Sequence, residues 1–209
     1  MTIRIYNSPL VNSGKRSKPM SKPQLVVLSF LKRQPMYGYK IGQIVEEMKM
    51  PVWAGIKLPS IYKAMQSLEQ GGMIAGKQQV EGNNPPRTVY HIKTKGQELL
   101  REMVLDYLKR QDLPPQDWWL VLSFSAQSVT RDELEQAVTE RIELIKSRRD
   151  VHKEDICRKV MHTEKLPGIM KHIINLGERH SKVELDTLKE LLDDIQNNRL
   201  EDLYVSKGD

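Results

Sequence analysis

The chain has 209 residues, of which 29% are charged and 39% are hydrophobic. Its longest mainly apolar run, Trp118–Phe124, is far too short to span a bilayer, and its N-terminus lacks the apolar core of a signal peptide. A single cysteine, Cys157, excludes an internal disulfide and is consistent with a reducing compartment. These features argue against a membrane-spanning or disulfide-stabilised protein, and we expect a soluble, cytoplasmic one.

The charge is divided unevenly along the chain. Residues 1–111 contain 18 Lys or Arg and 7 Asp or Glu, which is a net charge of +11. Residues 112–209 contain 15 Lys or Arg and 20 Asp or Glu, which is a net charge of −5. A basic first half joined to an acidic second half favours a nucleic-acid-binding region followed by a region that does not bind nucleic acid. Attachment to a membrane surface is not expected, because no basic segment also has a large apolar face.

The chain begins with residues 1–20, which contain prolines, a glycine and several basic side chains, and for which we predict a flexible basic tail. A solvated tail is the preferred interpretation, and a basic arm along a phosphate backbone is the functional alternative. The first helix is predicted to begin at Ser21, which forms a capping-box pattern with Gln24, and to end near Arg33. Its buried stripe is predicted to contain Leu25, Leu28 and Leu31.

A second helix is predicted over Tyr39–Met48, directly after Gly38. For the two aromatic side chains at its start, Tyr37 and Tyr39, we expect packing in preference to contacts with phosphate groups. Residues 51–57 are predicted to form a loop before the next helix. Trp53 in this loop is expected to be a packing anchor.

The third helix is predicted over Leu58–Gly72, with Pro59 tolerated in its first turn and two glycines supplying the stop. Its apolar positions step by 3, 4 and 3 residues and predict one buried stripe. That stripe contains Leu58, Ile61, Met65 and Leu68. The other faces carry small or basic residues, namely Lys57, Ser60, Lys63, Ala64 and Ser67.

Two β-like runs, Met73–Val80 and Arg87–Lys93, follow this helix and are joined by a turn-rich segment. A helix with small and basic outer residues followed by a hairpin with Arg87 at its tip is the arrangement of a winged helix-turn-helix. An ordinary α+β core without a ligand is the alternative. We prefer DNA binding, by analogy with the winged geometry.

The rest of the chain is predicted to be helical. A Thr94-x-x-Gln97 capping pattern starts a helix that ends near Gln111, and the prolines that follow place a domain boundary there. Three further helices are predicted, over Asp117–Ala126, Thr130–His162 and Ile169–Asn198. The apolar spacing of the last helix favours both a dimer contact and packing onto the helix before it. The predicted fold is therefore mainly α with a small β-hairpin, in three parts: the tail 1–20, a winged helix-turn-helix domain 21–111, and a helical dimerisation domain 112–209.

Three segments carry a composite motif when taken in order: GYKIGQIVEEM, LPSIYKAMQSLEQGGMI and PPRTVYHIKTKGQELL. Together they resemble the PadR family of bacterial winged-helix transcriptional regulators over roughly residues 22–110. The resemblance extends more loosely to the long C-terminal helices of some members. It implies a homodimer, joined through those helices, that binds a pseudo-palindromic promoter site, and we expect a repressor.

Ser60 and Lys63 are the leading candidates for contacts with base edges, because lysine donates to guanine acceptors and serine is versatile but weakly discriminating. Lys57 and Ser67 flank them. Tyr62 matches a tyrosine that is prominent in the family motif. It is expected either to contact a phosphate group through its hydroxyl or to pack its ring against the first helix. The wing would neutralise phosphate groups or enter the minor groove through two cations, Lys77 and Arg87.

The resemblance also suggests a small-molecule effector, because aromatic platforms bind flat ligands in some PadR-like drug sensors. Trp118 and Trp119 are the candidate platform here, although we favour core packing for both. No effector can be named from the sequence.

No catalytic motif is found, and we expect neither an enzyme nor a cofactor. His152, Asp155, Cys157 and His162 lie close in sequence but would spread around a helix, so no metal site is predicted. A different class of function is a winged-helix module that binds a partner protein through its acidic helical part. The charge division favours DNA over this alternative.

Overall fold

A computed structural model describes residues 21–80, 86–160 and 168–200, with only the backbone described over 151–160. The chain is mainly helical and has one small three-stranded antiparallel sheet, in the arrangement of a winged helix followed by a helical C-terminal region. The N-terminal elements are α1 Lys22–Arg33, β1 Met36–Tyr37, α2 Gly38–Glu47, α3 Met50–Trp53, α4 Leu58–Gln70, β2 Ile74–Gln79, β3 Arg87–Ile92 and α5 Thr94–Lys109. The C-terminal elements are α6 Pro115–Ser123, α7 Arg131–Val160 and α8 Gly168–Gln196. The predicted tail 1–20, the turn 81–85 and the break at 165–167 lie outside the described residues.

The sheet has one strand more than the predicted hairpin. The additional strand, β1, pairs antiparallel with β3, with Met36 opposite Tyr90 and Tyr37 opposite Val89. The sheet order is therefore β1-β3-β2, which makes β3 the central strand. A strand of two residues is too short to produce an alternating pattern, so β1 could not be predicted from periodicity. The four-residue helix α3 likewise lies in a segment predicted to be a loop.

The first helix is buried on every side over most of its length. All residues from Leu25 to Leu31 are buried, including Ser29, although only one stripe was predicted to be. One side of α1 packs on α4 and α5. The other meets the end of α6, where the rings of Phe30 and Phe124 form an edge-to-face contact with centroids 5.6 Å apart. The Ser29 hydroxyl also donates to the Phe124 carbonyl at 3.1 Å. The core is therefore continuous across the predicted domain boundary near residue 111.

One of the three predicted helix caps, Ser21, lacks its predicted side-chain hydrogen bond, and a second is displaced by one residue. Ser21 is the N-cap of α1 but its side chain makes no capping hydrogen bond; its backbone N–H donates instead to the Tyr107 hydroxyl at 3.3 Å. Thr94 is the first residue inside α5 rather than its cap. In both cases the capping box predicted from the local pattern is not formed.

The third predicted cap, at the start of α7, is confirmed. The Thr130 N–H donates to a Glu133 carboxylate oxygen at 2.8 Å, and the Glu133 N–H donates to the Thr130 hydroxyl at 3.3 Å. Burial raises the pKa of Glu133. The hydrogen bonds from Thr130 and the Arg101 guanidinium at 2.6 Å lower the pKa by more than burial raises it, so it lies below its usual value. This box fixes the start of the longest helix.

Two glycines allow α4, the wing and α5 to meet. Gly72 has a φ of 73° at the end of α4, where the left-handed conformation stops the helix as predicted. Gly96, in the first turn of α5, lies against the chain at the start of the wing. A Cβ there would stand 2.3 Å from the Met73 carbonyl oxygen, so only glycine permits this approach.

The C-terminal helices α7 and α8 pack against each other along part of their length. The predicted inward residues of α7 are buried, together with Leu185, Leu188 and Ile195 of α8. Arg141 of α7 and Glu184 of α8 form an ion pair with a contact of 3.0 Å inside this interface. The first half of α8 differs, because four of the apolar residues up to position 183 are exposed: Ile169, Ile173, Leu176 and Val183. Within the described ranges no helix is long and apolar enough to cross a membrane.

Candidate nucleic-acid interface

The outer face of α4 carries polar and basic side chains, as predicted, but two positions were misassigned. Ala64 was placed on the outer face and is buried, whereas Leu58 was placed in the buried stripe and is only half-buried. Lys63 and Gln66 are both exposed on this face. Gln66 was not among the predicted site residues, although its spacing of three from Lys63 could have identified it.

The two serines of α4 are not equally available. The Ser60 hydroxyl donates to the Lys57 carbonyl at 2.6 Å within the first turn, and Ser60 is half-buried. Ser67 is exposed, but its hydroxyl accepts a hydrogen bond of 3.5 Å from the Gln24 amide of α1. Ser67 therefore lies at the edge of α4 beside α1, while Lys63 is free to extend outward.

Tyr62 packs beside Gly42 of the second helix. A Cβ added at Gly42 of α2 would lie 3.3 Å from the Tyr62 hydroxyl oxygen and 2.7 Å from a Leu58 methyl carbon. The absence of a side chain at Gly42 therefore makes room for Tyr62. Tyr62 has 45% of its surface exposed, and its predicted phosphate contact stays a prediction.

The wing supplies the two predicted cations on neighbouring strands. Lys77 of β2 pairs with Val89, and Gln79 pairs with Arg87 at the start of β3. Both Lys77 and Arg87 are exposed. The Arg87 guanidinium lies over the Tyr39 ring, with its central carbon 5.8 Å from the ring centroid.

Tyr39 is a surface residue, contrary to the expectation of packing. It is 45% exposed, and its ring stacks on that of Tyr37 at 5.5 Å and 17°. Its hydroxyl accepts a hydrogen bond of 3.4 Å from Arg87. The start of α2 is therefore joined directly to the wing.

An open groove of about 450 Å³ lies between the start of α2, the outer face of α4 and β3. We call it the tyrosine groove, because four of its lining residues are tyrosines: Tyr37, Tyr39, Tyr62 and Tyr90. Arg87 and Glu69 are its two charged lining residues. Glu69 accepts a hydrogen bond of 3.1 Å from the Gly76 N–H, and burial together with this carboxylate raises the pKa of Tyr90. The outer face of α4 and the wing therefore border one continuous concave surface.

The cations around this surface are not neutralised by nearby carboxylates. Lys57, Lys63, Lys77 and Arg87 are exposed, and in the described part of the chain none of them forms an ion pair. The C-terminal helices are different, because several of their Lys and Arg side chains are paired with Asp or Glu. Unpaired positive charge on a concave surface attracts a polyanion such as nucleic acid.

The predicted effector platform is only partly accessible. Trp118 has no exposed surface, its Nε1–H donates to the Leu108 carbonyl at 3.1 Å, and the Arg141 guanidinium lies over its ring at 5.5 Å. Core packing of Trp118 is confirmed, and it is not an accessible platform. Trp119 is half-buried, with its ring perpendicular to that of Trp118. The third tryptophan, Trp53, is 43% exposed, and its Nε1–H donates to the Met48 carbonyl at the end of α2 at 2.8 Å, so its predicted role as a packing anchor stays a prediction.

No group of three or more His, Cys, Asp or Glu residues is placed to hold a metal ion within the described ranges. The histidine and cysteine cluster considered from sequence, residues 152–162, has side chains outside those ranges.

Comparison with known proteins matches residues 27–102 to the family described as Transcriptional regulator PadR-like family. Comparison with curated proteins gave no match. Similar solved structures include a PadR family transcriptional regulator from Eggerthella lenta DSM 2243, which is 30% identical, with 40% of this chain and 70% of that chain covered and a TM-score of 0.35. Bacillus subtilis PadR in complex with operator DNA is 20% identical. The match covers 85% of this chain and 99% of that chain, with a TM-score of 0.39.

A third structure, smu.1604c from Streptococcus mutans UA159, is 23% identical. The match covers 84% of this chain and 99% of that chain, with a TM-score of 0.36. The family match lies within the winged helix and includes α4, β2 and β3. It agrees with the composite motif found in the sequence. By this match, the winged-helix part of the chain belongs to the PadR-like family of transcriptional regulators.

Proposed function

We propose that this protein is a sequence-specific DNA-binding regulator that represses transcription as a homodimer on a pseudo-palindromic promoter site. Residues 21–111 bind the DNA, and residues 112–209 form the dimer. The observation that carries the proposal is the set of exposed, unpaired cations on α4, its N-cap and the wing, of which Arg87 lines the tyrosine groove. Membership of a transcriptional regulator family supports it.

In this proposal α4 enters the major groove, where Lys63 and Gln66 reach base edges. A lysine donates to guanine acceptors, and a glutamine can bind adenine through two hydrogen bonds. Ser60 has a smaller role than the sequence suggested, because its hydroxyl already donates within the helix. Specificity would arise from these contacts and from the shape of the DNA.

The wing and the flanks of α4 contact the phosphate backbone in the same proposal. Lys57, Lys77 and Arg87 neutralise phosphate groups, and Arg87 can also reach the minor groove. The Tyr62 hydroxyl donates to a phosphate oxygen. These contacts position the protein and supply much of the affinity without discriminating between sequences.

The exposed half of α8 supports the homodimer. Its apolar residues step by four, three and seven positions from Ile169 to Val183, which is the spacing of a coiled-coil seam. A two-fold axis between such seams would present two recognition helices to successive major grooves. A dimer bound in this way covers promoter DNA and excludes other proteins from it, which is why we propose repression.

The remaining predictions on regulation and location stay proposals. We propose a cytoplasmic protein, as expected for a regulator of bacterial promoters. An effector would contact Trp119 rather than Trp118, because only Trp119 has accessible surface. The effector's chemistry is left open.

The test is equilibrium binding of the purified full chain to a duplex from its own upstream region and to a random duplex of equal length, over a salt series. We expect tighter binding to the upstream duplex, with the difference persisting as salt rises. Lys63→Ala should reduce this difference, whereas Lys146→Ala, which alters an exposed lysine of α7, should not. Binding of neither duplex at low salt would refute the proposal and favour a partner protein as the ligand.

A further inference from the structure

The pairing of β1 with β3 brings two distant surface residues together. Met36 lies opposite Tyr90 and Tyr37 opposite Val89, so continuing this antiparallel register by two residues places residue 39 opposite residue 87. The chain leaves the strand at Gly38 to begin α2. Tyr39 nevertheless remains close to Arg87, because the helix begins directly at the end of the strand.

The contact between Tyr39 and Arg87 has two components. The guanidinium stands over the ring at 5.8 Å, which is within the range of a cation–π interaction. Its Nη1–H also donates to the Tyr39 hydroxyl at 3.4 Å, at the long end of hydrogen-bond distances. The two components act on different parts of the same side chain and restrict where the guanidinium can lie.

Tyr39 is itself held in place. Its ring stacks on Tyr37, whose backbone is fixed by pairing with Val89 in the central strand. Among the described residues, no carboxylate forms an ion pair with Arg87 that would compete with Tyr39. The guanidinium therefore keeps its full charge at the edge of the tyrosine groove and remains exposed.

We propose that Tyr39 is a positioning residue for DNA binding: it holds Arg87 of the wing in the orientation in which Arg87 contacts the DNA backbone. This inference rests on the proposed function and adds a residue that the sequence pattern did not assign to it. An arginine held before binding loses less conformational freedom when it contacts a phosphate group. Tyr39 thus raises affinity without having to contact DNA.

The test is a double-mutant cycle on the full chain, measured with the upstream-region duplex over a salt series. Arg87→Ala should weaken binding and lower the slope of log affinity against log salt by about one unit, because one phosphate contact is lost. Tyr39→Leu should weaken binding about three- to tenfold, from the cation–π and hydrogen-bond contributions together. It should leave the salt slope unchanged, because Arg87 is still charged.

The decisive result is the double variant. If Tyr39 acts through Arg87, Tyr39→Leu should have almost no effect once Arg87 has been replaced. Adding Tyr39→Leu to Arg87→Ala should then change the affinity less than about twofold, so the two single effects do not add in free energy, as is found for residues in contact. Tyr62→Leu is the matched control. Tyr62 has the same 45% exposure as Tyr39 and lines the same groove. The loss of affinity caused by Tyr62→Leu should nevertheless be independent of Arg87, so that the fold-losses of the two single variants multiply in the double variant. Tyr39→Phe, which keeps the ring and removes the hydroxyl, should lose only part of the affinity.

The outcomes separate the two proposals. If the wild type binds and Tyr39→Leu keeps full affinity, the positioning role is overturned and DNA binding stands. The same conclusion follows if the losses of affinity caused by Tyr39→Leu and Arg87→Ala multiply in the double variant. Failure of the wild type to bind either duplex overturns both. Thermal unfolding of each variant shows whether α2 is retained, and Tyr39→Phe provides the measurement if Tyr39→Leu does not fold.

Discussion

The ion pair between Arg141 and Glu184 leads to a sharp prediction about the stability of the C-terminal helices. Two guanidinium nitrogens of Arg141, Nε and Nη2, donate to the same Glu184 carboxylate oxygen, at 3.2 and 3.0 Å. The Arg141 side chain is 3% exposed and that of Glu184 is 13% exposed. The third nitrogen, Nη1, is buried without a hydrogen-bond partner, and the guanidinium lies over the Trp118 ring. Glu184 is therefore the main group that compensates a buried charge.

Glu184→Gln keeps the shape of the side chain and removes the negative charge. At a separation of 3 Å and an effective dielectric constant of about 20, the attraction that is lost amounts to about 5 kcal/mol before relaxation. Measured losses on breaking a buried pair are about 3–5 kcal/mol, because the remaining charge is left uncompensated. We expect the free energy of unfolding to fall by about 3 kcal/mol, since the new amide oxygen can still accept one hydrogen bond.

The assay is urea unfolding at pH 7, at one fixed protein concentration so that any dimerisation contributes equally. Glu143→Gln is the control, because it makes the same substitution in an exposed pair of α7 and should cost less than about 0.5 kcal/mol. The double variant Arg141→Met with Glu184→Leu should recover most of the loss, because no buried charge remains. A loss below about 1 kcal/mol for Glu184→Gln, or a double variant no more stable than it, would refute the reasoning.

Three further predictions concern the DNA contacts, the dimer and the start of α7. Lys63→Ala should lower DNA affinity and sequence discrimination more than Ser60→Ala, since the Ser60 hydroxyl is engaged within α4; equal losses in competition binding would contradict this. Ile173→Glu should give monomers by sedimentation while Lys182→Glu should not, because only Ile173 belongs to the exposed apolar stripe of α8; a persistent dimer would place the interface elsewhere. Glu133→Gln can keep the capping box but removes the carboxylate charge that faces Arg101 and the N-terminus of α7, and it should reduce stability by about 0.5–1 kcal/mol at pH 7. The pKa of Glu133 is lower in the folded state than in the unfolded state. Its contribution to stability is therefore fully present above the unfolded-state pKa and is lost as pH falls through the folded-state pKa. The free energies of unfolding of wild type and variant, measured with urea, should converge in acid.

Helix positions and the wing could be predicted from sequence, because periodicity and glycines determine them locally. The long helices α1, α4, α5, α7 and α8 begin and end within a few residues of the predicted positions. The two hairpin strands were also predicted, and the left-handed Gly72 ends α4 as expected. The capping box at Thr130 was predicted for the same reason, since its two partners lie within one turn.

Features that depend on contacts between distant segments were not predictable in this way. The strand β1 exists only because β3 lies beside it, and Ser21 fails as a side-chain cap while its N–H meets Tyr107 of α5. The same distinction applies to the candidate site. The outward positions of α4 follow from helical spacing, whereas the contact of Tyr39 with Arg87 follows from a strand register that joins residues 48 positions apart.

The burial of α1 links the C-terminal helical region to the surface that we propose binds DNA. On one side α1 packs against α4, and Gln24 reaches Ser67 on it; on the other, Ser29 donates to the carbonyl that follows α6. Close-packed interiors transmit displacement because they have little free volume. Any change in α6 that moves Phe124 must therefore displace α1 or open a cavity beside it. The first of these responses also moves α4, so we expect that a change in the C-terminal region can alter the helix proposed to bind DNA without a ligand touching the wing.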